Sequence, residues 1–222
     1  MKRPRGLRSG PVIFAALVLT TSAFAQRESH TTLELLTGDA CNFDSDLRIH
    51  QAGQPDLDFT ADWDTGGTGA MYYDLRFGWW HGGRAAEVEH LHHKIILTNN
   101  PPEVADFQIS HGLNMFMYNQ ACRHGPWLQR CGAGLVITHA ENTVRDLRLT
   151  DEGSGNILGG YRLSGVCAQY AIGHEWPIDE DWFATAEVKV TAAWLEVPVI
   201  EGEAELWNCA LHALLGFGYR FD

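Results

Sequence analysis

The stretch LWNCALHALLGFGYRFD, residues 206 to 222, decides between two folds. Read with a period of two, one face is apolar throughout: Trp207, Cys209, Leu211, Ala213, Leu215, Phe217, Tyr219 and Phe221. The other face carries polar groups, small residues and a guanidinium: Asn208, Ala210, His212, Leu214, Gly216, Gly218 and Arg220. This alternation predicts a β-strand about twice as long as the usual strand of a water-soluble sheet. Its apolar side therefore faces either a protein core or lipid.

The first 25 residues have the pattern of a bacterial secretory signal. Four basic residues precede the apolar run PVIFAALVL: Lys2, Arg3, Arg5 and Arg8. Ala23-Phe24-Ala25 then provides the small residues that a signal peptidase accepts. The apolar run is too short for a membrane helix, and no cysteine follows the expected cleavage site before Gln26. We therefore predict a signal peptide at 1–25 and an exported chain with neither a membrane helix nor a lipid anchor.

The exported chain is strongly acidic. Removing the signal takes away four basic and no acidic residues, so the formal net charge changes from −12 to −16. This excess of acid argues against binding nucleic acid through its phosphates. Contact with an anionic membrane surface would need local basic residues or bridging metal ions.

Alternation of apolar and polar residues dominates the rest of the chain. It predicts strands at 56–63, 71–80, 86–97, 106–119, 127–140, 158–175, 185–194 and 206–222. Short connections such as HGG and CRHGP alternate with longer ones such as TNNPPEVA and EVPVIEGEAE, as in outer-membrane barrels. Residues 26–55 fit a periplasmic lead, an interior plug or another strand, and the sequence does not decide among these three.

One face of the predicted strands collects charge and the other collects apolar residues. The charged face holds Asp74, Arg76, Glu187, Lys189, His212 and Arg220, and the apolar face holds Phe77, Trp79, Leu113, Met115, Val188, Leu215 and Phe217. A soluble sandwich or barrel would enclose the apolar face. Strand length, export, an even strand count and aromatic strand ends instead favour lipid outside. We therefore predict an all-β fold: a closed, antiparallel, up-and-down transmembrane β-barrel of about eight strands over residues 56–222.

The chain resembles a small eight-stranded bacterial outer-membrane β-barrel, similar in layout to the OmpA-type barrels and to the lipid A deacylase and palmitoyltransferase barrels. The architecture of 56–222 and the ending LLGFGYRF carry the resemblance. That ending is similar to the strand signal read by the barrel-assembly machinery, although Asp222 follows the last aromatic residue. The resemblance implies the outer membrane of a Gram-negative bacterium as location, with membrane lipid, lipopolysaccharide and the assembly machinery as partners. No segment matches the His-x-Ser pattern of the lipid A 3-O-deacylases, so none of their active-site residues is carried over.

Candidate catalytic residues lie in EVEHLHHK (87–94) and FQISHGLN (107–114), predicted as the two arms of one hairpin. Pairing these arms from Leu97 and Asp106 puts His93 opposite Ser110 and Glu89 opposite Asn114, with all four side chains facing the interior. Ser110, His93 and Glu89 then suit a nucleophile, a base and an orienting carboxylate. A narrow barrel must also neutralise its interior charges, so the same residues fit a structural role.

Candidate metal ligands lie on the opposite face of the same hairpin. His92 is predicted opposite His111, with His90 two residues away, and imidazoles at alternate strand positions can hold Zn²⁺ or Cu²⁺. No carboxylate or cysteine completes this set on that face, and histidines near lipid headgroups also suit contacts with phosphates. The sequence predicts no cofactor.

Three functions fit the sequence. The first is a non-enzymatic outer-membrane barrel with a polar, side-chain-filled interior that contributes to envelope structure or surface contact. The second is a membrane-embedded acyl hydrolase or transferase acting on lipid A or phospholipid. The third is a soluble periplasmic calyx that binds a small apolar ligand.

Overall fold

The structure, a computed structural model, describes residues 29–66, 71–149 and 160–221, with only the backbone of Ser110 and His111. The predicted signal peptide at 1–25 lies outside these residues. No helix in the described ranges is long and apolar enough to cross a membrane.

Thirteen strands make up the secondary structure of the described ranges. They are β1 (Ser29–Asn42), β2 (Ser45–Gln51), β3 (Leu57–Ala61), β4 (Trp63–Asp64), β5 (Tyr73–His81), β6 (Arg84–Leu97), β7 (Val104–His124), β8 (Trp127–Thr138), β9 (Glu141–Val144), β10 (Leu147–Leu149), β11 (Arg162–Pro177), β12 (Trp182–Val199) and β13 (Gly202–Phe221).

Eight of these strands are hydrogen-bonded in a closed ring. Its order is β1-β5-β6-β7-β8-β11-β12-β13 and back to β1, with every neighbouring pair antiparallel. Closure removes the free edges of the sheet, so every strand of the ring has two partners. The predicted closed, antiparallel, up-and-down barrel of eight strands is confirmed.

The ring has a turn end and a loop end. Short connections after β5, β7 and β11 lie at the turn end, together with the start of β1 and the end of β13. The loop end carries the remaining connections and the additional strands. There β2 pairs with β13, and β3 pairs with β2. We call β2, β3 and the adjoining ends of β12 and β13 the loop-end extension.

Two segments differ from the sequence prediction. β1, within the segment that the sequence left open, pairs with β13 and closes the ring, whereas the strand predicted at 56–63 supplies β3 of the extension. The long connection predicted at 196–205 is wrong, because β12 and β13 stay paired up to Val199 and Gly202. Alternation identifies an amphipathic strand, but it does not indicate whether that strand joins the ring or the extension.

The closing strand β13 has the faces that the sequence predicted. Its outward apolar side chains at Trp207, Leu211, Leu215 and Phe217 are 41–66% exposed, whereas His212 is fully buried. The same holds on β5 and β12, where Arg76 and Lys189 are buried and Val188 is 55% exposed. Charge therefore lies inside the ring and apolar surface lies outside, which is the reverse of a soluble sandwich.

β7 departs from the predicted faces. Leu113 and Met115, predicted to face outward, are fully buried, and Asn114 lies on the outward side of the strand. The reason is that the barrel interior changes from charged near the turn end to apolar near the loop end. The apolar half is formed by Leu47, Ile49, Leu91, Ile95, Leu113, Met115, Val136, Leu195 and Leu206. In this half of the barrel, polarity does not identify the inward face.

A bulge in β7 also changes the register of the β6–β7 hairpin. His93 pairs with Leu113 but Ile95 pairs with Ile109, so residues 110–112 face a single residue of β6. The predicted register is wrong on both sides of the bulge: Ile96 lies opposite Gln108, one residue from the predicted pairing, and Glu89 lies opposite Met117, three residues from it. A bulge inserts unpaired residues without interrupting the alternation pattern, which is why the sequence did not reveal it.

Gly112 makes this bulge possible. Its φ is 113°, and a Cβ at this position would lie 2.2 Å from Cε1 of His92. We expect Gly112→Ala to lower the free energy of unfolding by about 1–3 kcal/mol, because the new side chain adds backbone strain and a clash. The urea midpoint of the folded protein in detergent micelles measures this effect. Gly82→Asn is the control, since Gly82 has φ 57°, which Asn tolerates, and its Cβ would have no neighbour within 4 Å. Equal midpoints for the two variants would contradict the bulge geometry.

Candidate functional site

A network of charged side chains fills the barrel interior toward the turn end. Its members are Glu34, Asp74, Arg76, Glu87, Glu89, Arg130, Glu187 and Lys189. All eight side chains have 0% exposure to solvent. They occupy alternate positions of β1, β5, β6, β8 and β12, so each projects toward the barrel axis while its strand neighbours face outward. We call this set the interior network.

Arg76 of β5 contacts the largest number of carboxylates in this network. Its Nη1 donates to Glu34 at 3.2 Å and its Nε to Glu89 at 3.0 Å. Its Nη2 donates to Glu187 at 2.9 Å and to Asp74 at 3.2 Å. One guanidinium therefore connects carboxylates from β1, β5, β6 and β12.

Arg130 of β8 forms a second bridge. Its Nε lies 2.9 Å from Glu87, its Nη1 lies 2.7 Å from Glu187, and its Nη2 lies 3.1 Å from Glu34. The planar fork of donors on a guanidinium suits several carboxylates at once, and such charge-assisted bonds are strong. Glu34 and Glu187 are thus shared between the two arginines.

Lys189 of β12 and two amides complete the network. Nζ of Lys189 lies 2.5 Å from both Asp74 and Glu89. Asn119 and Gln169 donate to Glu89 at 2.7 and 2.8 Å, and Gln169 also donates to the Asn119 carbonyl. Glu89 therefore accepts hydrogen bonds from amides as well as from cations.

The network contains five carboxylates and three cations. A charge without a partner is far more costly in this enclosed space than at the surface. Because carboxylates outnumber cations, losing one cation leaves more unpaired charge than losing one carboxylate. The cations are therefore the more sensitive members of the network.

A smaller ion cluster closes the turn end. Glu175 accepts from Arg123 at 2.8 Å and from Arg220 at 2.9 Å. The Arg123 guanidinium lies 4.7 Å from the ring centroid of Trp80, and that of Arg220 lies 4.3 Å from the ring of Phe183. Ion pairing and cation–π contacts together hold both cations inside the wall.

A hydrogen-bonded chain lies between the interior network and the apolar half. His212 is 2.7 Å from the Tyr72 hydroxyl through Nδ1 and 2.8 Å from the Thr191 hydroxyl through Nε2. The ring of His93 is perpendicular to that of His212, with 5.2 Å between centroids. Sequence reasoning placed His212 on the charged face but did not connect it to these partners, because they lie on three different strands or loops.

The structure does not bring the three predicted catalytic residues together in its described part. Glu89 is bound by cations and amides of the interior network, and His93 lies about 13 Å farther along β6, four residues away. The backbone of Ser110 lies in the β7 bulge, and its side chain is outside the described part of the structure. The catalytic roles of Ser110, His93 and Glu89 stay a prediction.

Two of the three predicted metal ligands share one amide on the outward face. His90 Nε2 and His92 Nδ1 lie 3.0 and 2.9 Å from Oδ1 of Asn114. The amide nitrogen of Asn114 donates to two backbone carbonyls, so Oδ1 is the acceptor and both ring nitrogens carry hydrogens. Those nitrogens are not free to bind a metal. The side chain of His111 lies outside the described part, and the metal site stays a prediction.

The loop-end extension carries a charged surface that sequence reasoning missed, because this region was predicted as a connection. Glu196, Glu203 and Glu205 are exposed, and their carboxylate oxygens lie within 4.8 Å of one another. The continuous pairing of β12 and β13 aligns them on one face. This part of the surface is acidic.

An exposed ion pair lies beside these glutamates on β2. Asp56 is 2.8 Å from His50 Nδ1 and 2.7 Å from Arg48 Nη2. These two hydrogen bonds hold the pKa of Asp56 below its usual range. The Arg48 side chain is 59% exposed, and ion pairs exposed to this degree contribute little to stability.

The fold and its interior define a closed eight-stranded β-barrel with charge inside and apolar surface outside. No family model matches the chain, and no curated protein matches it. Among solved structures the chain is similar to the outer-membrane protein AlkL in lipid bilayers, with 11% identity over 94% of this chain and 97% of that chain and a TM-score of 0.49. It is also similar to the outer-membrane protein OprG from Pseudomonas aeruginosa, with 15% identity over 88% and 97% of the two chains and a TM-score of 0.44. The fold assignment rests on the closed ring of strands.

We expect Arg76→Leu to lower the free energy of unfolding by about 3–5 kcal/mol, because it leaves buried carboxylates without their cation. Glu34→Gln should cost less, since it removes one of the surplus negative charges. The control is Arg48→Leu, which breaks an exposed pair and should change the free energy by less than about 1 kcal/mol. Urea unfolding of the three variants in the same detergent measures these differences. A similar loss for Arg76→Leu and Arg48→Leu would show that the interior network does not stabilise the barrel.

Proposed function

We propose that the protein is a sealed barrel in the outer membrane of a Gram-negative bacterium, where it contributes to envelope structure or surface contact. In this role the barrel anchors the loop-end extension at the cell surface and provides no large pore. The observation that carries the proposal is the combination of a fully buried charge network inside the ring with exposed apolar surface outside it.

The outer surface supports residence in a membrane. Leu35, Val188, Leu215 and Phe217 are each 55–66% exposed, on strands that neighbour one another around the β12–β13–β1 side of the ring. A water-soluble monomer rarely exposes a continuous apolar surface of this extent. A bilayer solvates such a surface, and the closed ring satisfies the backbone hydrogen bonds that hydrocarbon cannot.

The aromatic residues support the same location. Exposed tryptophans lie at both ends of the apolar surface: Trp79, Trp127 and Trp182 toward the turn end, and Trp207 toward the loop end. Amphipathic rings are enriched at the two membrane–water interfaces. Their separation along the strands fits a band of hydrocarbon between them.

The interior supports a sealed barrel. An eight-stranded ring is just wide enough for its inward side chains, and here these side chains bind one another across the axis. The apolar half of the interior adds a second packed layer toward the loop end. Both layers oppose the passage of water and ions.

The loop-end extension supports a role in surface contact. In outer-membrane barrels the short turns lie in the periplasm and the longer connections lie outside the cell, which places the extension at the cell surface. Leu47 and Ile49 of β2 pack with Val197 and Ala204 of β12 and β13, so the extension shares the apolar core of the barrel. The extension is therefore packed against the core of the barrel.

The proposed partners follow from this location. The apolar exterior contacts membrane lipid, including lipopolysaccharide of the outer leaflet. The ending LLGFGYRF belongs to the closing strand β13 and is the segment that the barrel-assembly machinery would read during insertion.

We expect Phe217→Asp to reduce the folded form sharply, because a charge against hydrocarbon costs on the order of a few kcal/mol. Folded protein is measured by outer-membrane fractionation and by the change in gel mobility on boiling. The matched control is Ile178→Asp in the β11–β12 turn, since Ile178 is 59% exposed and Phe217 is 60% exposed. Ile178→Asp should assemble as the unmodified protein does. Recovery of the unmodified protein as a soluble periplasmic monomer would contradict residence in the membrane.

The sealed interior is tested by ion conductance. We expect planar bilayers that contain the reconstituted protein to show no steady open-channel current, because the interior network and the apolar layer fill the ring. Bilayers without protein provide the baseline, and gel mobility of the reconstituted sample confirms that the barrel is folded. A steady porin-like current from folded protein would overturn the proposal of a sealed barrel.

A further inference from the structure

Three polar side chains occupy successive outward positions on β6: His90, His92 and Lys94. We call them the β6 patch. Asn114 of β7 joins the two histidines, and Tyr73 of β5 stacks on His92 with 4.9 Å between ring centroids. The patch therefore lies on the face of the barrel that is apolar elsewhere.

The apolar surface is tall on β13 and short on β6. On β13 it runs from Trp207 to Phe221, which is about 46 Å along the strand and about 35 Å along the membrane normal at a tilt of about 40°. On β6 only Ala86 and Val88 separate Arg84 from His90, a distance of about 15 Å along the normal. The apolar band of such barrels is about 25 Å tall. The β6 patch therefore begins about 10 Å inside the depth that hydrocarbon would normally cover.

The neighbouring strand β7 shares the short apolar surface. Its outward residues Phe116 and Tyr118 are 44% and 53% exposed, and they lie between the polar residues Asn114 and Gln120. The shortening thus extends over adjacent strands and is not the effect of a single residue. A bilayer adapts to such a mismatch by thinning locally, which brings headgroups closer to the midplane.

The β6 patch has the chemistry to bind an anion. Its rings are held in place, because His90 stacks on Phe116 with 4.3 Å between centroids and both histidines share the Asn114 oxygen. Lys94 makes no ion pair with any residue in the described ranges, and the second nitrogens of His90 and His92 make no hydrogen bond there. An ammonium group is therefore available to an external anion, and the second nitrogen of each imidazole can donate to it when the ring is protonated. Polar groups at membrane depth are costly without such a partner.

We propose that the β6 patch binds the phosphate of a phosphorylated lipid headgroup in the outer leaflet, which reaches the patch where the apolar surface is short. Lys94 provides the charge, and His90 contributes a hydrogen-bond donor when its ring is protonated. His92 and Asn114 position the ring of His90. This inference rests on the proposed residence in the outer membrane.

The test uses the full mature chain reconstituted in phosphatidylcholine vesicles with either phosphorylated or dephosphorylated lipid A. Native mass spectrometry after mild detergent extraction counts the lipid A that each barrel retains. We expect the unmodified protein to retain at least tenfold more of the phosphorylated form. The double variant Lys94→Gln/His90→Gln should lose this preference. The control Arg84→Gln changes an outward cation at the other end of β6 and should keep it.

Equal retention of the two lipids by the unmodified protein would overturn the inference, as would an unchanged preference in the double variant. Loss of the preference in Arg84→Gln would also overturn it, since the effect would then follow overall charge. Gel mobility in vesicles of phosphatidylcholine alone shows that each variant is folded. Unmodified protein that inserts there but shows no preference refutes this inference alone, whereas failure to insert into any vesicle refutes the proposed function with it.

Discussion

A charge enclosed within a narrow barrel is shielded from bulk solvent, so it is stabilised chiefly by other side chains of the interior. Arg76 and Arg130 meet this constraint by binding carboxylates from strands on different sides of the ring. Two of these carboxylates, Glu34 and Glu187, lie far apart in the sequence and approach one another only when the ring closes. Pairing of the interior charges and closure of the barrel are therefore coupled, and each stabilises the other.

Because the charged side chains are confined to one half of the interior, the other half can form an apolar core. Toward the loop end, Leu91, Leu113 and Leu206 pack as in the core of a soluble protein. An apolar core of this kind allows strands outside the ring to join it, as Leu47 and Ile49 of β2 do. The extension thus shares one continuous core with the barrel, while the charged half fills the ring toward the turn end.

The sequence predicted the faces of strands in which alternation is unbroken and the interior is charged. β13 is the best example, since its apolar face is exposed and His212 is buried as expected. It also placed Arg76, Glu187 and Lys189 inside, but not their mutual contacts, because these depend on which strands face each other across the ring. The register of the β6–β7 hairpin was wrong by one residue before the bulge at Gly112 and by three beyond it, because alternation does not determine which residues of two strands lie opposite each other and the bulge leaves it intact. Alternation also could not assign β1 and β3 to the ring and the extension.

The wrongly predicted faces of β7 and the presence of polar residues on the outside of β6 have the same physical origin. Alternation shows that a strand has two different faces. The polar face can be assigned to the barrel interior only where that interior is polar. At the level of Leu113 and Met115 the interior is apolar, so Asn114 is outward although it is polar. A polar side chain on that face is unfavourable against hydrocarbon, and its retention requires compensation from neighbours or from a ligand. Asn114 binds both histidines of the patch, which satisfies its own amide but leaves the second ring nitrogens and Lys94 accessible on the outside of the barrel. The sequence therefore mispredicts the faces at Asn114, and the outward polar groups beside it are those that an external polar partner would stabilise most.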